Sequence, residues 1–532
     1  MHECLFCGKP MKPGDILFGM RRNDDVDTSN GLGMTSSTAV KTTVSGSSFL
    51  GTDDTSDHDE SVSVSESEEP EANIELGAWV KDTPHSDFLS KYLYMDMRGV
   101  YQPKQIFAVR WSRTECVHKL GLAEGSLPGG VPIKIKLSPE DAQVAGVEYL
   151  TQRFCPHCHC EIMNGYMEAE EARIHHIAFV GGSRAGKTQY LTAIYQNLFE
   201  IGSLMNDYKM GTVEMDGLSE SVMKHLSSVF SGRVDGGRSI ERGRQGHIDT
   251  TQMAQILPVV MRVTPMDANG SFDSKKRSYI AIYDCPGEIF SANHVNEMVS
   301  RLSLRKADAL LFMVDAAQLF WALNNYARER DEVRQDTCML DLLSMIQRFS
   351  EYFPENRYKA TAFVITKMDQ VIDNEVCSLS RSNVRPGAYN KVLQSKDYKD
   401  HDRAVNMNVI AQIDNNLRAV LSGDNDDRDS LMTPGIVTLT ENNLAGCRQG
   451  QLKVFAVSTY TRPADDECFI PCGVANRERH RLLEPLLYLW AELDIIAKDY
   501  GEKGPLGEEG GELDDPPRQG FFRRLFGSKD RR

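Results

Sequence analysis

The sequence predicts an α/β fold: a mostly parallel sheet covered by helices, with a smaller β-rich module towards the N-terminus. Three observations carry this. From about residue 173, apolar runs of strand length alternate with segments of helical periodicity. Those runs are near-continuous rather than alternating, as in strands buried on both faces. Ahead of them lie paired cysteines and short β-like pieces set between Gly and Pro.

Residues 1–20 contain the first cysteine pair. Residues 21–75 are rich in Ser, Thr, Asp and Glu and nearly devoid of large apolar side chains, so nothing offsets the entropy of ordering, and a disordered acidic linker is expected. Residues 76–172 regain mixed composition, with β-like "QIFAVRW" and "VPIKIKL" and a second cysteine pair within 155–160. The main domain spans 173–500. "IHHIAFVGG" reads as a buried strand entering a Gly-rich loop, and "KTQYLTAIYQNLFEIG" as a helix stopped by Gly202. "ILPVVMRV" and "RSYIAIYDCPG" flank "DANGSFDSKK", an Asn-Gly hairpin signal that predicts one antiparallel edge pair. "ADALLFMVDA", "YKATAFVITKMD" and "QLKVFAVST" are three further strands, and "MLDLLSMIQRFSEYF" is a connecting helix. Residues 370–450 form an insertion containing one scaffold helix, "DRAVNMNVIAQIDNNLRAVLSG". "RERHRLLEPLLYLWAELDIIAKDY" reads as the last long helix, and 501–532 as a flexible tail ending in "FFRRLFGSKDRR".

The chain has 532 residues, 41% of them hydrophobic, enough for a large core, and a net charge of −16. That charge opposes a nucleic-acid-coating role, and no specific nucleic acid is expected as a partner. No apolar run approaches the ~18–20 residues that span a bilayer, and "MHECLFCGKP" lacks a signal-peptide pattern. A cytoplasmic location is expected. The basic–aromatic tail is too short to anchor stably, so it offers at most weak peripheral membrane contact.

"GGSRAGKT" places Gly181, Gly182, Ser183, Arg184, Ala185, Gly186, Lys187 and Thr188 in the G-x-x-x-x-G-K-T pattern between a strand and a helix. Glycines let backbone N–H groups approach phosphates, and the helix N-terminus adds partial positive charge. Lys187 would reach the β- and γ-phosphates, and the Thr188 hydroxyl would ligate Mg²⁺. In "DCPG", Asp284 at a strand end would hold Mg²⁺ and the Gly287 N–H would sense a γ-phosphate. "TKMD" supplies Thr366, Lys367 and Asp369. A carboxylate there accepts from guanine N1 and N2, whereas adenine would leave it unpaired, so the base is expected to be guanine. Thr366 stands where Asn is more usual, which predicts a loop held less firmly. "AVST" offers Ser458 and Thr459 to guanine O6.

The ordered set GGSRAGKT, DCPG, TKMD and AVST resembles the small-GTPase-type P-loop G domain of the translation-factor-related (TRAFAC) clade, over roughly residues 173–500. The insertion, the cysteine pairs and "LEPLLYLW" resemble the bacterial double-GTPase family, whose members are proposed to work with partner proteins in conflict or defence-type systems. The resemblance implies GTP binding, Mg²⁺-dependent hydrolysis to GDP, switch regions that order around the γ-phosphate, and a partner that reads them, such as a second GTPase.

A switch threonine should precede the second strand, and "HIDTTQMAQILPVV" offers Thr250 and Thr251, with Thr251 favoured for Mg²⁺. The loop before it carries Arg233, Arg238, Arg242 and Arg244; Arg242 and Arg244 are candidate arginine fingers, against a solvated basic loop. Glu288 follows Gly287 where the GTPase template has a water-orienting Gln. A Glu cannot donate to the γ-phosphate and would be repelled by it, so turnover is expected to be slow or partner-dependent, or Glu288 points away. A nucleotide-dependent scaffold with little hydrolysis is the alternative.

Cys4 and Cys7, with Cys155 and Cys158, form two C-x-x-C pairs, the soft tetrahedral set for one structural Zn²⁺ in a split zinc ribbon. The long separation is tolerable because closure entropy grows only logarithmically. His157, His159 and Cys160 are substitute ligands, and the module is expected to face a partner.

Overall fold

A computed structural model describes residues 2–12, 15–22, 79–80, 82–90, 105–107, 135–136, 149–182, 185–231, 257–267, 269–285, 287, 302–316, 358–367, 401–422, 452–457 and 481–501. Its centre is a seven-stranded sheet. The strands are β1 Ile174–Gly181, β2 Gly211–Met215, β3 Val259–Pro265, β4 Ser278–Asp284, β5 Ala309–Asp315, β6 Ala360–Thr366 and β7 Leu452–Ala456. Their order is β2-β3-β4-β1-β5-β6-β7. β4, β1, β5, β6 and β7 run parallel, and β3 and β2 add antiparallel at one edge.

Every residue of β5 and β6 is buried, which is why both read as near-continuous apolar runs. The predicted hairpin joins β3 to β4. Asp267 Oδ1 accepts from the N–H groups of Asn269 and Ser271, and Gly270 takes φ +83° at the turn. The antiparallel edge is one strand wider than expected. β2 carries Thr and Glu between its apolar residues and is mostly half-buried, so it lacks the signature of the central strands.

Helix α1, Lys187–Tyr195, runs into a π-helical turn at Gln196–Glu200, and Gly202 stops it at φ +69°. Helix α2, Gly217–Ser231, begins where Asp216 Oδ2 accepts from the Leu218 and Ser219 N–H groups. Within the insertion, helix α3, Met407–Ser422, forms where expected. Buried Asp414 clamps it to β7, accepting from Arg418 Nε at 2.7 Å, the Val454 N–H at 2.8 Å and Lys453 Nζ at 3.3 Å.

The last helix is shorter than its sequence suggests: α4 spans only Glu484–Glu492. Pro485 sits in its first turn, where the missing N–H costs nothing. It ends because Asp494 turns left-handed at φ +58° while the Ile495 N–H bonds Trp490 O, folding Ile495 and Ile496 back into the core. A buried network ties α4 to the insertion: Glu484 accepts from Arg481 Nε at 2.6 Å and contacts His401 Nε2 at 2.9 Å.

The N-terminal module is joined across its long separation. The strand Leu17–Arg22, which crosses the expected boundary at residue 20, pairs antiparallel with both Gln152–Phe154 and Gln105–Phe107. "VPIKIKL" contributes only Ile135–Lys136, paired with Tyr149–Leu150. A helix at Thr83–Leu89, not foreseen, is capped by Asp82. "MLDLLSMIQRFSEYF" and the expected linker beyond Arg22 lie outside the described residues. No helix among the described residues is long and apolar enough to cross a membrane.

Candidate functional site

The C-terminal ends of β1, β4, β5 and β6 meet at one edge of the sheet. From β1 the chain runs to the β2 edge, whereas from β4 it crosses past β1 to β5, and such a switch point opens a crevice beyond the strand ends. β1 delivers the Gly-rich loop into that crevice. Gly181 pairs with Met313 of β5 so closely that a Cβ would overlap the Met313 carbonyl. Gly186, at φ +82°, is the left-handed residue from which α1 starts. Lys187 is buried, and its ammonium donates to Gly181 O at 2.9 Å and Gly182 O at 2.8 Å, closing the loop on itself.

Thr188 Oγ1 donates to Asp284 Oδ2 at 2.6 Å, joining residues 96 apart in sequence. The hydroxyl keeps its lone pairs while donating, and the carboxylate has spare acceptor capacity, so the pair can present oxygen to a hard cation. The donor set fits Mg²⁺.

Thr366 reaches across to the Gly-rich loop. Its buried hydroxyl lies 2.7 Å from Ala185 O and 3.1 Å from Val314 O, so it pins the Gly-rich loop to the ends of β5 and β6. Lys367 follows at φ +58°, and Nζ donates to Asp315 Oδ2 at 2.7 Å. Asp315 was not singled out from sequence, although a carboxylate ending the apolar run "ALLFMVD" was the available signal. The structure thus brings together Gly181, Gly182, Ala185, Gly186, Lys187, Thr188, Asp284, Thr366 and Lys367, with Gly287 three residues beyond Asp284. Ser183, Arg184, Arg233, Arg238, Arg242, Arg244, Thr250, Thr251, Glu288, Asp369, Ser458 and Thr459 lie outside the described residues. The Val457 N–H bonds Ile365 O, which leads β7 to the strand ends just before Ser458.

Cys4, Cys7, Cys155 and Cys158 converge, all four sulfurs lying within 4.8 Å of one another. Cys4–Cys158 is 3.7 Å and Cys7–Cys155 is 3.9 Å. Ligands ~2.3 Å from a tetrahedral Zn²⁺ sit ~3.8 Å apart, so the set fits a zinc ion. The two knuckles are alike: Gly8, at φ +68°, follows Cys7, and His159, at φ +54°, follows Cys158. Mutual hydrogen bonding lowers the Cys7 and Cys155 thiol pKa values and raises those of Cys4 and Cys158, because the four sulfurs share their protons. The substitute ligands stand outside this set. His159 Nδ1 meets Asp82 at 2.6 Å, His157 Nε2 meets Pro10 O at 3.1 Å, and buried Cys160 lies 3.9 Å from His85 Nδ1. His85 Nδ1 also contacts Cys158 O at 3.2 Å, so Asp82 and His85, missed from sequence, brace the second knuckle. Part of the first knuckle is seated on the chain's own sheet: Leu5 and Phe6 are buried, and Leu5 O accepts from Tyr283 Oη at 3.1 Å, while Lys9 and Pro10 beside it are exposed.

Residues 265–420 match a family described as Double-GTPase 2. That segment is less than a third of the chain; it holds Asp284, Asp315, Thr366 and Lys367 but begins after the Gly-rich loop. It supports a GTPase-type domain of double-GTPase character. No curated protein matches. Among solved structures, the chain is similar to the Saccharomyces cerevisiae Ski7 GTPase-like domain bound to GTP, at 14% identity and a TM-score of 0.22, covering 56% of this chain and 46% of that one. The same domain bound to GDP and inorganic phosphate matches at 13% identity and a TM-score of 0.22, covering 54% and 43%. The chain thus spans less than half the length of these two structures, and likeness of that degree does not extend to their ligands.

Proposed function

We propose that this chain binds guanine nucleotide with Mg²⁺ and hydrolyses GTP to GDP as a partner-regulated switch. The observation that carries this reading is the Thr188–Asp284 bond, which sets the phosphate-loop hydroxyl against the carboxylate of the D-x-x-G motif. In this reading the backbone N–H groups of residues 181–188 cradle phosphate, and Lys187 exchanges its loop carbonyls for phosphate oxygens. Mg²⁺, held by Thr188 and Asp284 with Thr251, supplies charge neutralisation at the β- and γ-phosphates when bound. Lys367 packs its stem along the purine while Asp315 fixes its ammonium, and Asp369 reads guanine, with Ser458 and Thr459 beside O6. Gly287 senses the γ-phosphate, and Arg242, Arg244 and Glu288 are the candidates for turnover. The four cysteines hold a structural Zn²⁺. The double-GTPase resemblance suggests a protein partner, a second GTPase among the candidates, in a conflict or defence-type system.

Replacing Asp369 by Asn should shift preference from guanine to xanthine nucleotides; unchanged guanine selectivity would refute the base assignment. Glu288, in place of a water-orienting Gln, favours the second reading, an assembly scaffold with little turnover. Single-turnover GTP hydrolysis, with and without products of neighbouring genes, separates the two readings.

A further inference from the structure

Two strands carry both ends of a hydrogen-bonded path between the candidate nucleotide site and the four-thiol site. β4 ends in Tyr283-Asp284, and consecutive strand residues point to opposite faces of a sheet. Asp284 meets Thr188 on one face. Tyr283, on the other, donates its hydroxyl to Leu5 O at 3.1 Å, and Leu5 lies inside the first knuckle, between Cys4 and Cys7. Since the tyrosine proton goes to Leu5, the 3.1 Å contact with His176 Nδ1 makes the imidazole the donor. The rings stack with centroids 5.9 Å apart and planes 18° apart. His176 belongs to β1, the strand that feeds the phosphate loop, and Phe179 of β1 pairs in register with Asp284.

We infer that Tyr283 is a positioning residue through which metal occupancy at the four cysteines and nucleotide occupancy beside Asp284 favour each other. Neighbouring contacts seat the module on β4 through Tyr279 and on β3 through Arg262. Tyr166 Oη donates to Glu3 O, Glu3 pairs with Lys306, and Tyr279 Oη and Arg262 Nη1 donate to Asn164 O at 2.7 and 2.8 Å. Tyr166 and Tyr279 meet edge-on at 5.3 Å. Four thiolates this close repel one another unless a cation holds them. Without one, the first knuckle opens, the Leu5 carbonyl leaves, and Tyr283 loses an acceptor beneath the strand end that carries Asp284. The free energy at stake is that of about one hydrogen bond, which converts to about a 2- to 10-fold change in affinity. Coupling of binding free energies is reciprocal, so the same factor applies in both directions.

This inference rests on the nucleotide reading above, and the experiment separates the two. For the zinc-loaded full chain, the Kd of a fluorescent GDP analogue with Mg²⁺ is measured before and after zinc removal. Equilibrium zinc affinity against a competing chelator is measured with and without saturating GDP. Zinc removal should weaken the nucleotide about 2- to 10-fold, and GDP should tighten zinc by the same factor. Tyr283→Phe keeps the ring and removes the hydroxyl. It should retain one zinc per chain, bind GDP more weakly than the zinc-loaded wild type by that factor, and lose the reciprocal effect. If zinc removal unfolds the chain, the zinc-loaded comparison of Tyr283→Phe with wild type still decides. Equal affinities in that comparison, or nucleotide binding indifferent to zinc in a folded chain, overturn the coupling alone. No nucleotide binding by the zinc-loaded wild type overturns the nucleotide reading and the coupling with it.

Discussion

Replacing Thr366 by Val tests whether one hydroxyl holds the phosphate loop. Valine keeps nearly the same shape and puts a methyl where Oγ1 now lies 2.7 Å from Ala185 O and 3.1 Å from Val314 O. One proton serves these two buried carbonyls in turn. Its loss removes about 1 kcal/mol of net hydrogen bonding and adds the penalty of a less satisfied buried acceptor, about 1–3 kcal/mol in all. The strand ladder between β5 and β6 holds Val314 and Thr366 regardless, so the cost falls on the loop. A smaller fraction of molecules then has the loop ready to bind, and apparent affinity falls by that fraction. The expected result is a fluorescent GDP analogue bound about 5- to 150-fold more weakly, measured by equilibrium titration. Thr366→Ser keeps the hydroxyl and should stay within about 3-fold of wild type. Wild-type affinity in the valine variant would refute the reasoning, as would a serine variant as weak as the valine one.

Three other perturbations follow from the same geometry. Asp315→Asn removes the carboxylate that meets Lys367 Nζ at 2.7 Å; discounted for the partial exposure of the lysine, this should weaken guanine-nucleotide binding about 5-fold, and no change in Kd would count against Asp315 as the anchor of that stem. Cys4→Ser and Cys155→Ser should each lose the single bound zinc in a metal assay, since the four sulfurs form one cluster; retention by either variant would mean two separate sites. Burial lowers His175 from 6.5 to about 4, and among the described residues neither ring nitrogen has a hydrogen-bond partner. The folded state disfavours the imidazolium, so the unfolded chain binds the extra proton first. The neutral ring's contribution is complete above about pH 6.5 and is lost as pH falls towards 4, to a limit of about 3 kcal/mol. Denaturant titrations of His175→Leu should show a shallower loss of stability across that window than wild type, and identical slopes would contradict the assignment.

What was legible in the sequence is what backbone chemistry forces onto particular residue types. Gly181 cannot be larger beside the Met313 carbonyl, Gly186 turns left-handed, and strands buried on both faces are mostly apolar. Those constraints leave local marks, so the strand alternation, the Gly-rich loop between strand and helix and the place of Asp284 at a strand end could be read directly. The rest depends on partners distant in the chain. Nothing near Thr366 in sequence shows that its hydroxyl meets Ala185, and nothing near Tyr283 shows that it meets Leu5, 278 residues away. β2 stayed hidden because an edge strand needs only one partly buried face, and α4 was overdrawn because apolar Ile495 and Ile496 continue its pattern after the backbone has turned away at Asp494. The four cysteines were legible as a set from their spacing, whereas the bracing by Asp82 and His85 was not, because it comes from a helix whose sequence carries no metal-binding pattern.

The most direct test of the account is displacement of a fluorescent GDP analogue from the zinc-loaded chain by unlabelled nucleotides in the presence of Mg²⁺. GTP and GDP should displace it fully and ATP should not, with all binding lost in Lys187→Ala. Displacement by ATP as readily as by GTP, or binding that survives Lys187→Ala, would contradict a guanine-nucleotide site built on this loop.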